Sequence, residues 1–137
     1  MCYRFTNGRG SWLEQERGCQ QMGAKMKWPG GASLATIGSS SDQKAVMKAM
    51  NGVDPNKYQQ VFIGGFNRYY SGKKNWNWMD GTTWRFNNFM KDLVDSGDEN
   101  CLAFINRPGN GNQRGEWNDV PCNGAALWSA ICSVSAK

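Results

Sequence analysis

Five cysteines, at positions 2, 19, 101, 122 and 132, stand in a chain that contains no histidine. No other feature restricts the fold as much. The cysteines lack CxxC spacing. Without an imidazole, Cys2His2 fingers, HExxH zinc sites and every Ser/His or Cys/His catalytic pair are excluded, because each needs that ring as ligand or base. No activated nucleophile or isolated carboxylate pair stands out, so the residues argue against an enzyme. Disulfides are the better use for these thiols, and they imply an oxidising, extracytoplasmic compartment. The odd count leaves one thiol without an internal partner.

Three of the five cysteines fall in the last third of the chain, among Glu99-Asn100-Cys101, a Gly/Asn-rich run, Glu116-Trp117-Asn118-Asp119, Cys122 and Cys132. Half-cystines beside oxygen-bearing side chains suggest a stapled loop that holds something by coordination or hydrogen bonding.

At 137 residues the chain is read as one domain, 1–137, long enough to bury a core that can use its seven Trp, six Phe and four Tyr. Apolar runs such as Ala125-Ala126-Leu127-Trp128 fall far short of the ~20 residues that a membrane-spanning helix needs. No Asn-x-Ser/Thr sequon occurs. The formal charge of +5 admits acidic partners, but Lys25, Lys27, Lys44, Lys48, Lys73, Lys74, Arg107 and Arg114 are scattered. No arginine-rich helix or aromatic RNP-like strand accompanies them, so nucleic acid is not expected. The opening Met1-Cys2-Tyr3 has neither a basic nor an apolar leader segment, and the sequence is read as a trimmed piece of a secreted protein.

The local signals define an order. Cys2-Tyr3-Arg4-Phe5 alternates like a strand, and Ser11-Trp12-Leu13-Glu14 is a capping box that opens a helix ending near Gly23. Trp12, Cys19 and Met22 would form its buried stripe. Lys25 to Gly31 reads as a surface tongue whose Trp28 folds back onto the body. Leu34 to Ile37 is a strand, and a second helix begins at Ser39–Asp42, buries Ala45, Val46, Ala49 and Met50, and closes at Asn51-Gly52. From there the character is β: Val61 to Gly65, a polar excursion from Tyr69 to Lys74, Trp76 to Trp78, a turn at Asp80-Gly81, Cys101 to Ile105, and Trp128 to Cys132. The Arg107 to Gly115 run is too rich in Gly and Asn to be regular and is expected to be mobile. Two helices followed by short strands make an α+β domain.

In that order the residues resemble a known family. Cys2-Tyr3-Arg4-Phe5, Ser11 to Glu16 with Cys19, Leu34-Ala35-Thr36-Ile37, Phe62-Ile63-Gly64-Gly65, Trp78-Met79-Asp80-Gly81, Glu99-Asn100-Cys101, Trp117-Asn118-Asp119 with Cys122, and Ile131-Cys132 look like a C-type lectin-like domain. The match spans nearly the whole chain. It implies a disulfide-stapled fold whose first and last strands pair, with two helices flanking antiparallel sheets and a long loop region. It also implies Cys19–Cys132 and Cys101–Cys122 bridges, and leaves Cys2 unpaired because long-form members bond that cysteine to an N-terminal hairpin absent from this sequence.

The resemblance further implies where a ligand would sit. Sugar-binding members hold one Ca²⁺ with a Glu-Pro-Asn or Gln-Pro-Asp tripeptide, a glutamate two places before the third core cysteine, and the Asn-Asp of Trp-Asn-Asp. Ca²⁺ takes six to eight hard oxygens, and amide and carboxylate groups can bind the ion and sugar hydroxyls together. Glu99, Asn118 and Asp119 match the second half of this set. At the place of the tripeptide stands about Leu93-Val94-Asp95, and no proline lies between Pro55 and Pro108. Leu93 offers no oxygen, and only Asp95 or Asp92 could compensate. A cis bond before Val94 would cost about 2.5–4 kcal/mol, so the loop is expected to be trans and differently shaped.

The expected function is therefore a secreted, non-enzymatic binding module with a degenerate Ca²⁺/sugar site. It would use no cofactor, or weakly bound Ca²⁺ on Glu99, Asn118, Asp119 and Asp95. Ligand-facing residues would be Asp95, Glu99, Asn110, Arg114, Asn118 and Asp119, and the partner a glycan, protein or mineral surface. A bland alternative makes Trp117 core and has Asn118 and Asp119 satisfy backbone groups in a stapled turn. Two functional alternatives stand beside this expectation. The glycine-rich tongue and loop also resemble family members of extracellular matrix that associate with calcium carbonate, such as the spicule-matrix proteins of echinoderms and some eggshell proteins. The other is a Ca²⁺-dependent carbohydrate-binding lectin.

Overall fold

A computed structural model describes residues 1–70, 73–90, 100–109, 111–123 and 129–134, without the side chains of residues 68–70, 73 and 74. The elements are β1 (Cys2–Thr6), α1 (Trp12–Lys25), β2 (Ala32–Leu34), α2 (Ser40–Ala49), β3 (Gln60–Tyr70), β4 (Lys73–Trp78), β5 (Cys101–Ile105), β6 (Trp117–Val120) and β7 (Ala130–Val134). The strands form one connected sheet rather than two, in the order β1-β7-β3-β5-β6, with β2 also on β7 and β4 on β3. First and last strands pair as expected, from Cys2 opposite Val134 to Thr6 opposite Ala130. One contact breaks the antiparallel pattern: β3 meets β7 in parallel at Phe62 and Ala130.

Both helix starts follow from local chemistry. At α1 the Glu14 N–H donates to the Ser11 hydroxyl, and the Ser11 N–H donates back to the Glu14 carboxylate. The Ser39 hydroxyl accepts in the same way from the Asp42 N–H at α2. These bonds satisfy donors that a helix end would otherwise leave open.

The sheet is buried on both sides, and alternation along its central strands divides the core. Val61, Ile63, Leu102 and Phe104 face α2, packing with Ile37, Val46 and Met50. Phe62, Cys101 and Ala103 face α1, with Trp12, Cys19, Leu34 and Cys132. Every residue of β5 is buried in consequence. Burying each large apolar side chain is worth about 1.5–3 kcal/mol. Gly64 sits where β3 passes β2: a Cβ there would lie 2.6 Å from the Leu34 carbonyl oxygen, and its own N–H donates to Ala35 at 2.8 Å.

Both disulfides lie on the α1 side. Cys19–Cys132 joins α1 to β7 and Cys101–Cys122 joins β5 to the turn after β6, while Cys2 is an exposed free thiol. A buried carboxylate adds a third tie. Glu16, 2% exposed, accepts the Leu34 N–H at 2.8 Å and the Gln20 amide at 2.6 Å. Burial holds its carboxyl above the ordinary carboxylate range, although both hydrogen bonds pull the other way.

Three expectations change here. Within the polar excursion expected from Tyr69 to Lys74, Tyr69 and Tyr70 belong to β3 and pair with Lys74 and Lys73 of β4, while Ser71 and Gly72 lie outside the described residues. The strand expected over Leu34 to Ile37 lies earlier, at Ala32–Leu34, where it pairs with Val134 to Cys132 of β7. Trp117 to Val120 is a strand on β5 and not a turn. Trp28 is half-buried, held by its N–H to the Gly23 carbonyl at 3.1 Å. Trp128 lies outside the described residues.

Candidate functional site

β6 stands at the end of the strand order farthest from β1, and it carries the Trp-Asn-Asp motif. Trp117 is fully buried, and its ring meets Trp78, Trp84, Phe86 and Phe89 at 5.4–5.9 Å, all near perpendicular. Such edge-to-face pairs set the positive ring edge against a negative face. Trp78 and Trp84 stack at 4.3 Å. The backbone repeats this grip, since the Trp117 N–H donates to Asn88 and its carbonyl accepts from Met90. The segment from Trp84 to Met90 is thereby wrapped around one tryptophan.

Polar side chains fix the remaining geometry. Gln43 on α2 accepts from the Trp117 indole at 3.2 Å and donates to the Gly115 carbonyl at 2.8 Å, which also accepts from Asn88 at 2.9 Å. Asn67 on β3 donates through its backbone N–H to the Asn100 carbonyl and receives the Asn75 N–H. These contacts place Asn100, next to Cys101, against β3.

Of the expected ligand-facing residues, Asn118, Asp119 and Arg114 are described. Asn118 is half-buried opposite Ala103, and its amide donates to Gln60 on β3 at 3.1 Å. Asp119, opposite Leu102, is 2% exposed. Arg114 turns inward: its Nε donates to the Asn106 side chain at 2.9 Å and its Nη2 to the Met50 carbonyl at 2.7 Å. The guanidinium lies 6.0 Å from the Phe104 ring centroid. Asn106 is fully buried and spends its amide on the Val53 and Tyr58 carbonyls. Asp92, Leu93, Val94, Asp95, Glu99 and Asn110 lie outside the described residues.

The loop around Arg114 is also tied elsewhere. Gln113 donates its N–H to the Glu116 carboxylate, Asn112 to the Gly109 carbonyl and Gly115 to the Ile105 carbonyl. Gly115 has a φ of +98° and lies against Met47, so a side chain there would be strained and crowded.

Among the described residues no group of three or more Cys, Asp or Glu could hold a metal ion. Asn118 and Asp119 alone supply two oxygen-bearing side chains where Ca²⁺ takes six to eight ligands. The described residues therefore do not by themselves fit a calcium site. Gln43, Gln60, Asn67 and Asn106 were not singled out from sequence, because a lone amide has no local signature. Only partners far along the chain give these four their roles.

The family model described as Lectin C-type domain matches residues 8–134. The chain belongs to this family. The C-type lectin domain is 27% identical over 136 residues to C-type lectin domain family 4 member D of Homo sapiens, which involves 97% of this chain and 54% of that protein. It is 30% identical over 125 residues to the versican core protein of Homo sapiens, involving 89% of this chain and 3% of that protein. The chain thus spans about half of the first relative and a small part of the second. Among solved structures it superposes on the C-type lectin CEL-I from Cucumaria echinata with a TM-score of 0.76 at 22% identity, covering 99% and 91% of the two chains. The cow CD23 carbohydrate-recognition domain in the presence of GlcNAc2Man3 oligosaccharide gives 0.71 at 21%, covering 99% and 89%. Herring type II antifreeze protein gives 0.70 at 26% identity, covering 96% and 87%.

Proposed function

We propose that this C-type lectin domain is an extracellular, non-enzymatic binding module that engages its ligand around the β5–β6 edge without the calcium geometry of sugar-binding members. The observation that carries this reading is the state of the Asn-Asp pair. Asp119 is 2% exposed, while Asn118 is half-buried and oriented by the bond that its side-chain N–H donates to Gln60, which leaves its oxygen uncommitted. A ligand set for a sugar-bound ion needs exposed, preorganised oxygens, and the resemblance puts the tripeptide at about Leu93-Val94-Asp95, where Leu93 offers no side-chain oxygen. The two disulfides support an oxidising, extracellular setting. Fold alone assigns no ligand, so the class of partner, glycan or protein, rests on the site.

Calorimetry with CaCl₂ from micromolar to millimolar, beside a glycan array read with and without EDTA, tests the reading. The expected result is no tight stoichiometric calcium isotherm and no EDTA-sensitive glycan signal. A stoichiometric isotherm with monosaccharide competition would overturn it in favour of a Ca²⁺-dependent lectin, with Glu99 and Asp95 completing the set. The oligosaccharide present with cow CD23 and the GlcNAc complex of SPL-1 favour that alternative.

A further inference from the structure

The loops at one end of the sheet bring together charges that the sequence scatters. Gln60, the first residue of β3, pairs with Ile105, the last of β5, so the connection from α2 to β3 lies beside the connection from β5 to β6. Asn106 joins them. Its buried amide donates to the Val53 carbonyl at 3.3 Å and the Tyr58 carbonyl at 2.9 Å, and its oxygen accepts from Arg114, which also reaches the Met50 carbonyl at the end of α2. The Arg107 N–H adds a bond to the Gln59 carbonyl at 3.0 Å.

Four cations surround this hub. Arg107 follows Asn106, Lys57 precedes Tyr58, Lys48 stands in the last turn of α2 just before Met50, and Arg114 is bonded to Asn106 directly. Lys48, Lys57 and Arg107 are exposed and Arg114 is half-buried. None of them has an ion-pair partner among the described residues. The same loops carry two carboxylates, Asp54 and Glu116, and each is turned onto a backbone N–H of its own loop, Asn56 at 2.9 Å and Gln113 at 2.6 Å. The surface is therefore positive, and hydrogen bonds across the two loops hold its backbone in place. Arg114 spends only part of its donor set inside the protein and keeps its charge.

Charge without apolar or stacking surface narrows the partner. The exposed large apolar residues among those described are Met1, Leu13, Met26 and Met79, and none belongs to these loops. A membrane surface holds a folded domain best where apolar side chains insert beside the cations. A single-stranded nucleic acid stacks its bases on exposed rings, and an acidic peptide uses an open strand edge or an apolar groove. A sulfated polysaccharide needs none of these. Its anionic groups hang from hydrophilic rings, and spaced guanidinium and ammonium groups match them with charge-assisted hydrogen bonds.

We propose that the α2–β3 and β5–β6 loops form a binding surface for a sulfated polysaccharide, in which Lys48, Lys57 and Arg107 contact sulfate groups and Arg114 supplies a fixed positive charge beside them. Asn118, Asp119 and calcium take no part. A tight calcium isotherm would therefore leave this surface standing, and loss of this surface would leave the calcium-free reading standing.

The test titrates a fluorescent heparin octasaccharide into the disulfide-intact domain in EDTA. Saturable binding is expected, with affinity falling as NaCl is raised. Lys48→Gln with Arg107→Gln should weaken it about tenfold or more and leave the melting temperature unchanged. Lys25→Gln with Lys27→Gln removes the same charge at the other end of the sheet, where α1 ends against β2 and β2 pairs with the last residues of β7. That variant should stay within about twofold of the parent. Equal losses in the two double variants would overturn the proposal by showing attraction to net charge alone. So would the absence of saturable binding, equal binding of a desulfated octasaccharide, or tighter binding of a polyglutamate peptide or of phosphatidylserine vesicles with the same sensitivity to Lys48 and Arg107.

Discussion

Arg114→Ala separates a ligand-facing arginine from a structural strap. The substitution removes two bonds, to the Met50 carbonyl at 2.7 Å and the Asn106 side-chain oxygen at 2.9 Å. Met50 and Asn106 are both fully buried residues. Hydrogen bonds from a charged donor contribute about 1.5–3 kcal/mol each, and stranding a buried acceptor costs about 1–3. Arg114 itself is half-buried, so water can enter part of the vacated space and the upper figures do not apply. The expected loss is about 2–3 kcal/mol in total. With a urea slope of about 1.5–2 kcal/mol/M, the unfolding midpoint should fall by about 1–2 M. Arg114→Lys keeps the charge but not the planar fork, and about half of that loss should remain. Equilibrium urea unfolding of the disulfide-intact domain measures both variants. A loss below about 0.5 kcal/mol, typical of surface positions, would refute the strap and return Arg114 to the ligand-facing set.

Two further expectations concern the ties on the α1 side. Burial raises the Glu16 pKa above the ordinary 4.5, so the protonated carboxyl is favoured in the folded state. Its contribution to stability is full below the unfolded value and is lost as pH rises through the folded value, and Glu16→Gln should flatten that slope in urea midpoints taken from pH 4.5. The disulfides span separations of 113 and 21 residues. On the chain-entropy model, replacing Cys19 and Cys132 should cost about 5 kcal/mol and replacing Cys101 and Cys122 about 3, as read by calorimetric melting; equal costs would argue against loop length as the cause.

Much of the fold is legible where the cause is local. Ser11 and Ser39 sit beside the very N–H groups they cap, so both helix starts can be read from adjacent residues. The stripe of Trp12, Cys19 and Met22 marks the side of α1 that is packed, because one helical face repeats every few residues. Strand limits are less legible. β6 looks like a turn in isolation because Asn and Asp favour turns, and only pairing with β5 makes it extended. Likewise Tyr69 and Lys74 read as a polar loop, although cross-strand pairing makes them ladder partners.

The sequence by itself determined the family, the two helices, the use of the cysteines and the oxygen-bearing residues of Trp-Asn-Asp, since each shows as residue types in a fixed order. Tertiary structure alone decided which polar groups are already occupied. Arg114 and Asn118 read as ligand-facing residues when only their neighbours are known. In the fold, Arg114 bonds across 64 positions to Met50 and Asn118 across 58 to Gln60. A buried polar group must find a partner wherever the chain brings one, and sequence distance carries no trace of that meeting.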